Sequence, residues 1–489
     1  MPATRTAETQ APAAWVNRPG ADHADIPGVC WLIDGGTAGE QSSAEQFAQL
    51  RGMNVQHYRT AESIPGAVQR PTMIAIPASL MCALSAETKR HLASLVEGGA
   101  ILYVRGLPGP GVPLDLVPFE ASNAAIAAKC DAFGYRFTAS QMLPAALARE
   151  EAARPTFEAY GAEHLPARAE VLLALRHADG KERAAIFALS HGDGCAIFDL
   201  HSNDGDGEET PLVERLAVPQ TRNMAAGALI AVDRAIRKEG RPLPPFNLTI
   251  DDRPVNFDRL NTAPVGALLR HIEEVCPGAH TDFGWTPRHA TPSRGYLEVM
   301  KSFPTGFVWH GLFRHVDHRA IADTCAEFAK GRRMVSEIEE RFGVRLQPIM
   351  IFPFERSGTE HFRLLQEAGF IACVQQPHAP RGLASTQPRY LQYSLPSETS
   401  CGFTVLYRYQ VETLTGDRML AMAALGLPII AYAHPDQLGL RRLSRLWDRK
   451  GQISHFDAVL KFAVAKGLPS RSLEAIATGV KAESAARPL

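Results

Sequence analysis

Residues 246–254 read Phe-Asn-Leu-Thr-Ile-Asp-Asp-Arg-Pro, an apolar, β-prone run that stops abruptly at two adjacent carboxylates. Such a run predicts a buried strand that delivers acid groups to the edge of a sheet. Side chains alternate faces along a strand, so Asp251 and Asp252 diverge unless the chain turns there, and Pro254 favours a turn. Two carboxylates at one strand end need a cation or a shared proton to coexist. An isolated Asp-Asp would be read as an Asx-capped turn; the pattern downstream points instead to a site.

Downstream, polar residues recur at the ends of apolar runs. A helix over 264–275 leads to His280-Thr-Asp-Phe-Gly-Trp285, and a helix over 294–301 to Gly306-Phe-Val-Trp-His310 and then His315-Val-Asp-His318. An amphipathic helix over 319–342 follows, then Leu346-Gln-Pro-Ile-Met-Ile-Phe-Pro-Phe-Glu355, a helix over 361–368 and Phe370–Val374. Later strands are Thr404–Tyr409 and Leu427–His434. Strands that end in Asp-Asp, His and His, with helices between them, are how a β/α barrel gathers a site on one face. His280 and Asp282 read as wall or turn residues, and His378 with the Pro-rich run 377–388 as a surface loop.

Upstream, residues 1–26 are rich in Ala, Pro and Thr and are expected to form a disordered tail. Strand, helix, strand, helix, strand over 28–104 predicts a parallel sheet covered on both faces. Hairpin signals follow over 168–200, and a helix over 224–238 closes the unit. The run Ile-Ala-Ile-Pro-Ala-Ser over 74–79, a helix, and Val-Glu-Gly-Gly-Ala-Ile-Leu-Tyr-Val over 96–104 resemble the glutamine-amidotransferase-like (flavodoxin-like) domains that accompany carbohydrate enzymes. Cys82 stands near the nucleophile position of that family, but its neighbours lack the glycines of a nucleophile turn, so the domain reads as non-catalytic. The acidic loop 203–209 lacks the spacing of a calcium loop.

The second half resembles the polysaccharide deacetylase (NodB-like, carbohydrate esterase) superfamily. Thr249-Ile-Asp251-Asp252 is similar to its Thr-Phe-Asp-Asp motif, and His310 with His315-Val-Asp to its His-x-x-x-His-Pro-Asp motif. Phe352–Glu355 sits where that family has Arg-x-Pro-x-Gly, and Ile429–Pro435 is similar to its final strand ending in histidine. The fold implied is α/β: a flavodoxin-like parallel-sheet domain over 27–240, a distorted β/α barrel over 246–470, and a C-terminal tail over 471–489.

The resemblance implies a hydrolase that removes an acyl group from an amino sugar or small glycoside. Asp252, His310 and His315 would bind a divalent metal (zinc, with cobalt or nickel as alternatives), with His318 as the runner-up ligand. Asp251 would be the base, His434 the acid, and a backbone amide near Phe354 would hold the oxyanion. Trp285, Phe354, Arg253 and Arg356 would line the substrate. Two departures stand out: the two histidines are five apart, and Ile351 replaces the arginine that orients the catalytic aspartate, leaving Arg253 or Arg356 to substitute. Hydrolysis of a cyclic amide, and a silent carbohydrate-binding or assembly role, are the alternative readings.

Fifty-one basic and 52 acidic residues give nothing that favours nucleic acid or a polybasic membrane surface. The eight cysteines lie singly, which argues against a thiolate zinc site or a disulfide framework. With no apolar signal segment and no run of about 18 apolar residues, the chain is expected to be cytoplasmic, and a homo-oligomer is allowed.

Overall fold

The computed structural model describes residues 28–485 apart from 35–42, 69–70, 108–112, 117–118, 121–124, 127–131, 138–149, 152–159, 178, 202–211, 237–242, 252–262, 290–291, 319–320, 356, 358, 377–396, 399–402 and 435–451. The chain divides into two compact units, one made mainly of the residues up to Arg241 and the other of Pro242–Ala485 with Pro211–Val213. The tail 1–26, the acidic loop 203–209 and the loop 377–388 fall outside the described residues.

In the first unit, Val29–Ile33 lies between Asn54–Tyr58 and Thr72–Pro77, with Ile101–Arg105 and Gly194–Asp199 continuing the sheet, all parallel. An antiparallel extension, Glu182–His191 and Glu170–His177, completes its far side. The central strands Val29–Ile33, Thr72–Pro77 and Ile101–Arg105 are apolar and buried over nearly their whole length, whereas Asn54–Tyr58 at the edge is largely polar and half-exposed. Val29, Trp31, Ile74, Ile76, Leu102 and Val104 share one core with Phe187 and Phe198. Cys82 lies half-buried in the short helix Ala78–Ala83, and its carbonyl accepts from Lys89 Nζ at 3.3 Å.

The second unit is a nine-stranded sheet. Phe246–Ile250, Thr281–Trp285, Thr305–His310, Leu346–Ile351, Ala372–Gln375 and Thr404–Tyr407 pair in parallel, in that order. On the other side Phe246–Ile250 pairs with Ile429–Ala433, which pairs with Tyr409–Gln410. Thr404–Tyr407 and Tyr409–Gln410 are separated by Arg408 alone. One short run therefore binds the sheet's two ends, its first half on Ala372–Gln375 and its second on Ile429–Ala433. The sheet closes into a parallel barrel at Arg408. Helices Ala263–Val275, Arg294–Lys301, Thr324–Phe342, Thr359–Glu367 and Gly416–Leu425 return the chain between strands.

The long helix begins five residues later than its amphipathic pattern suggests, because the Asp323 side chain accepts from the Ala326 amide and caps it there. The stretch expected as a C-terminal tail forms a helix, Leu473–Ala485, whose Leu473, Ile476 and Ala477 join the core of Val308, Ile349, Val374 and Ile430. Its three buried apolar positions at i, i+3 and i+4 are the physical reason it does not stay loose.

That helix sits over the N-terminal end of the strands. Asp282, fully buried, accepts from Asn247 Nδ2 at 2.8 Å, the Leu473 amide at 2.8 Å, His280 Nε2 at 3.1 Å and Gln347 Nε2. Gln347 Oε1 in turn accepts the Glu474 amide at 2.8 Å. The carboxylate thus satisfies open N–H groups at the start of a helix, where a negative charge is stabilised. His280 and Asp282 belong to this floor of the barrel, at the opposite end of their strand from its C-terminal mouth. Gly306 leaves room for the cluster: a Cβ there would lie 2.2 Å from both Asp282 Oδ1 and Gln347 Nε2. Among the described residues no helix is long and apolar enough to cross a membrane.

Candidate active site

The C-terminal ends of the strands bring the chemistry-bearing residues together. Asp251 follows Phe246–Ile250 directly and is 1 % exposed, its amide donating to the Ala433 carbonyl at 3.0 Å. Alternation puts it on the same strand face as Asn247 and Thr249. Arg408, at the closure point and also 1 % exposed, places Nη1 2.7 Å from Asp251 Oδ1 and 2.6 Å from Oδ2. Its Nη2 lies 2.5 Å from Glu355 Oε1, with Nε at 3.2 Å from the same oxygen. Glu355 Oε2 accepts the Gln376 amide at 3.1 Å. The Tyr432 ring covers the guanidinium at 4.1 Å, and its hydroxyl pairs with Gln376 Nε2.

One buried cation therefore serves two buried carboxylates, and they respond differently. Burial pushes the Asp251 pKa up, but the charges of Arg408 and His310, the Arg408 hydrogen bonds and His434 pull it below the usual carboxylate range. For Glu355 burial wins: despite Arg408, its pKa lies above the ordinary value, with the Asp251 charge adding to the rise. Asp251 is thus kept ionised at neutral pH, while Glu355 takes up a proton more readily than an ordinary carboxylate.

His310 ends Thr305–His310 and is 2 % exposed. Its Nδ1 donates to the Ile351 carbonyl at 3.3 Å, which leaves the Nε2 lone pair as the coordinating or accepting position. Gly284 on the neighbouring strand makes room for it: a Cβ there would come within 3.3 Å of His310 Cβ and 3.5 Å of Asp251 Oδ1. The chain turns at Gly311 (φ +92°), and the five-residue interval is spent in that turn. It brings the His315 ring to 5.0 Å from the His310 ring at 62°. His434 follows Ile429–Ala433 and stands 5.7 Å from Tyr432, ring to ring.

His318 is used otherwise. Its Nε2 accepts the Leu312 amide at 2.9 Å, its ring packs edge-on against Phe352, and burial with nearby His361 pushes its pKa down to about 3. Trp285 also departs from its expected place on the substrate wall. It is fully buried, stacked obliquely on Phe307 at 4.2 Å and near Tyr296 at 6.5 Å, so it packs in the core. Phe354 is 60 % exposed, its ring 5.0 Å from His315. Asp252, Arg253 and Arg356 lie outside the described residues.

Sequence reasoning missed Arg408. The aspartate-holding arginine absent at Ile351 is supplied from the closure strand, along the run Leu406-Tyr-Arg-Tyr409. A cation flanked by tyrosines inside an apolar strand was the available signal. Glu355, which sits at the glycine position of the resemblance, was likewise not singled out.

Among the described residues no group of three or more His, Cys, Asp or Glu side chains encloses a metal position. The donor chemistry nonetheless suits a divalent ion. His310 turns Nδ1 to the Ile351 carbonyl, the His315 ring lies 5.0 Å from the His310 ring, and the third expected ligand, Asp252, follows Asp251 in the chain.

No protein-family model and no curated protein matches this chain. Among solved structures it is similar to a protein of Mycobacterium smegmatis assigned as a polysaccharide deacetylase, at 16% identity over 50% of this chain and 96% of that one, TM-score 0.32. It is similar to the chitin deacetylase of Colletotrichum lindemuthianum at 12% identity, over 48% of this chain and 88% of that one, TM-score 0.27. A β-galactosidase of Rahnella sp. R3 matches at 12% identity, over 44% of this chain and 32% of that one, TM-score 0.25. TM-scores this low are no ground for a functional argument. The fold and the residues define a closed parallel β/α barrel with a carboxylate–histidine cluster at its C-terminal mouth.

Proposed function

We propose that the barrel is a metal-dependent deacylase that hydrolyses an N-acyl, typically N-acetyl, amide on an amino sugar or related small glycoside. The carrying observation is the buried Asp251 carboxylate, held ionised by Arg408 at a strand end that also presents His310 and His434. His310 and His315, with Asp252, would hold the cation, zinc or alternatively cobalt or nickel. When bound, such an ion polarises the acyl oxygen and acidifies a water.

Asp251 accepts the proton of the attacking water as its oxygen bonds to the acyl carbon. Arg408 fixes the orientation of that carboxylate, and Tyr432 and Glu355 fix Arg408. His434 gives a proton to the departing nitrogen as the C–N bond breaks, so the products are a carboxylic acid and a free amine. Closure of the sheet at Arg408 excludes water from the ion pair, which strengthens it relative to an exposed one.

The test is elemental analysis of the purified chain after incubation with zinc, cobalt or nickel, beside Asp252→Ala, His310→Ala and His315→Ala, followed by acetate release from a panel of acetylated amino sugars. About one ion per wild-type chain, lost in the three variants, is expected from a site of three protein ligands. A wild-type chain that stays empty and releases no acetate sinks the proposal.

A further inference from the structure

The strand Thr281–Trp285 lies between Phe246–Ile250 and Thr305–His310, parallel to both. It thus runs between the strand that leads to Asp251 and the strand that ends at His310, yet none of the groups assigned to catalysis comes from it. Its side chains alternate between the two faces of the sheet. Trp285 is on the outer face, against Phe307 and Tyr296. Asp282 faces inward, bonded to Asn247 Nδ2 and Gln347 Nε2. Gly284 faces inward as well, since a Cβ there would lie 3.3 Å from His310 Cβ and 3.5 Å from Asp251 Oδ1. Thr286 continues this inward series one residue past the strand's end, about 7 Å beyond Gly284 toward the mouth. Trp285 pairs with Trp309 in the parallel register, so Thr286 stands level with His310.

Thr286 is 4 % exposed, and its Oγ1 is buried with no hydrogen-bond partner among the described residues. Such a hydroxyl has given up its bonds to water and gained none from the fold. Its neighbours at the mouth are served: Asp251 by Arg408, and His310 Nδ1 by the Ile351 carbonyl. A valine has the same branched shape and would fill the place without that loss. The fold makes no use of the hydroxyl, so its value lies with a molecule that enters the mouth.

We propose that Thr286 is a further catalytic residue of the barrel, its Oγ1 accepting a hydrogen bond from the water that attacks the acyl carbon. The inference rests on the deacylase reading and adds to it the group that fixes the water's orientation. The attacking water carries two protons. Asp251 takes one as the oxygen bonds to the acyl carbon, and Thr286 holds the other by a hydrogen bond without receiving it, so the hydroxyl is unchanged after turnover. With both protons held, a lone pair is turned toward the acyl carbon. The branched Cβ restricts χ1, which keeps the acceptor in one place.

The experiment measures acetate release from the panel of acetylated amino sugars, bound ion and urea unfolding for wild type, Thr286→Val and Thr286→Ser. The Val variant is expected to lose about 10- to 100-fold in kcat, the size of a lost orienting contact, with KM and ion content unchanged. Its urea midpoint should be at or above that of wild type, because an unpartnered buried hydroxyl has been exchanged for a methyl group. The Ser variant, which keeps the hydroxyl, should recover most of the lost kcat. A Val variant with wild-type kcat overturns the inference and leaves the deacylase reading standing. A lower urea midpoint for Val does the same, since the fold itself would then be using the hydroxyl, and so does a Ser variant no better than Val. A wild-type chain that releases no acetate from any member of the panel brings down the deacylase reading and this inference with it.

Discussion

Asp251 and Asp282 lie at opposite ends of the same barrel, equally buried, and are partnered in opposite ways. Asp282 is surrounded by amides: Asn247, Gln347, the Leu473 backbone and one imidazole. Every lone pair is engaged by a donor that belongs to the floor, so this carboxylate is structural. Asp251 leans on one guanidinium, which it shares with Glu355, and faces histidines at a strand end. Burial alone therefore does not mark a functional acid. What differs is whether the donors are three amides and an imidazole that engage every lone pair, or one shared guanidinium beside imidazoles at a strand end.

The largest break in this comparison should come from Asp251→Asn, which keeps the shape but cannot accept a proton. Acetate release is expected to fall about 10²–10⁴-fold, the range of a general-base contribution, while Asp282→Asn stays within a few-fold of wild type. Equal losses would show that the two ends are not functionally distinct.

Arg408→Met should come next, and on stability. It strands two buried carboxylates, so urea unfolding should report a loss of about 3–5 kcal/mol, with activity abolished. Asp282→Asn turns an amide toward donors that need an acceptor, and should cost about 1–3 kcal/mol in the same measurement. Gly306→Ala belongs with it, since its Cβ would meet Asp282 and Gln347 at 2.2 Å.

A subtler effect concerns His318, the histidine that serves the backbone. The unfolded chain takes up its proton near pH 6.5 and the folded chain only near 3. The unfolded state thus binds more protons between these values, so His318's contribution is present above pH 6.5 and lost as the pH falls toward 3. The slope is up to about 1.4 kcal/mol per pH unit. His318→Gln, whose amide oxygen can still accept from Leu312, should flatten the decline between pH 6.5 and 5 in urea titrations. An unchanged slope would mean that His318 is not buried neutral. Smallest of all, Gly284→Ala crowds His310 by a few tenths of an ångström and should lower activity a few-fold with little change in unfolding midpoint.

The barrel was legible because short apolar or β-branched runs alternate with helical stretches, a pattern that local sequence carries. That Asp251, His310 and His434 stand at or next to strand ends was legible in the same runs, and His315 follows five residues after His310. Arg408 was not. Its importance depends on which strands it bridges, and those partners, Ala372–Gln375 and Ile429–Ala433, are set by closure of the whole sheet. Trp285 was misread because a strand-end aromatic looks the same from sequence whether it faces a pocket or Phe307. The helix Leu473–Ala485 was read as tail because its anchor, Asp282, lies far upstream, and no local signal announces a distant cap.

That distance has a bearing on how the protein is made. Asp282 and the Leu473 amide are 191 residues apart, and the Asn247 amide that braces the same carboxylate reaches the Arg471 carbonyl across 224. At about 5–20 residues per second, a ribosome exposes Asp282 roughly 10–40 seconds before its capping helix emerges. During that interval Asn247, His280 and Gln347 can already reach Asp282, and only the place of the Leu473 amide is left to water. The base of the nascent barrel is thus left uncovered until translation reaches the last helix.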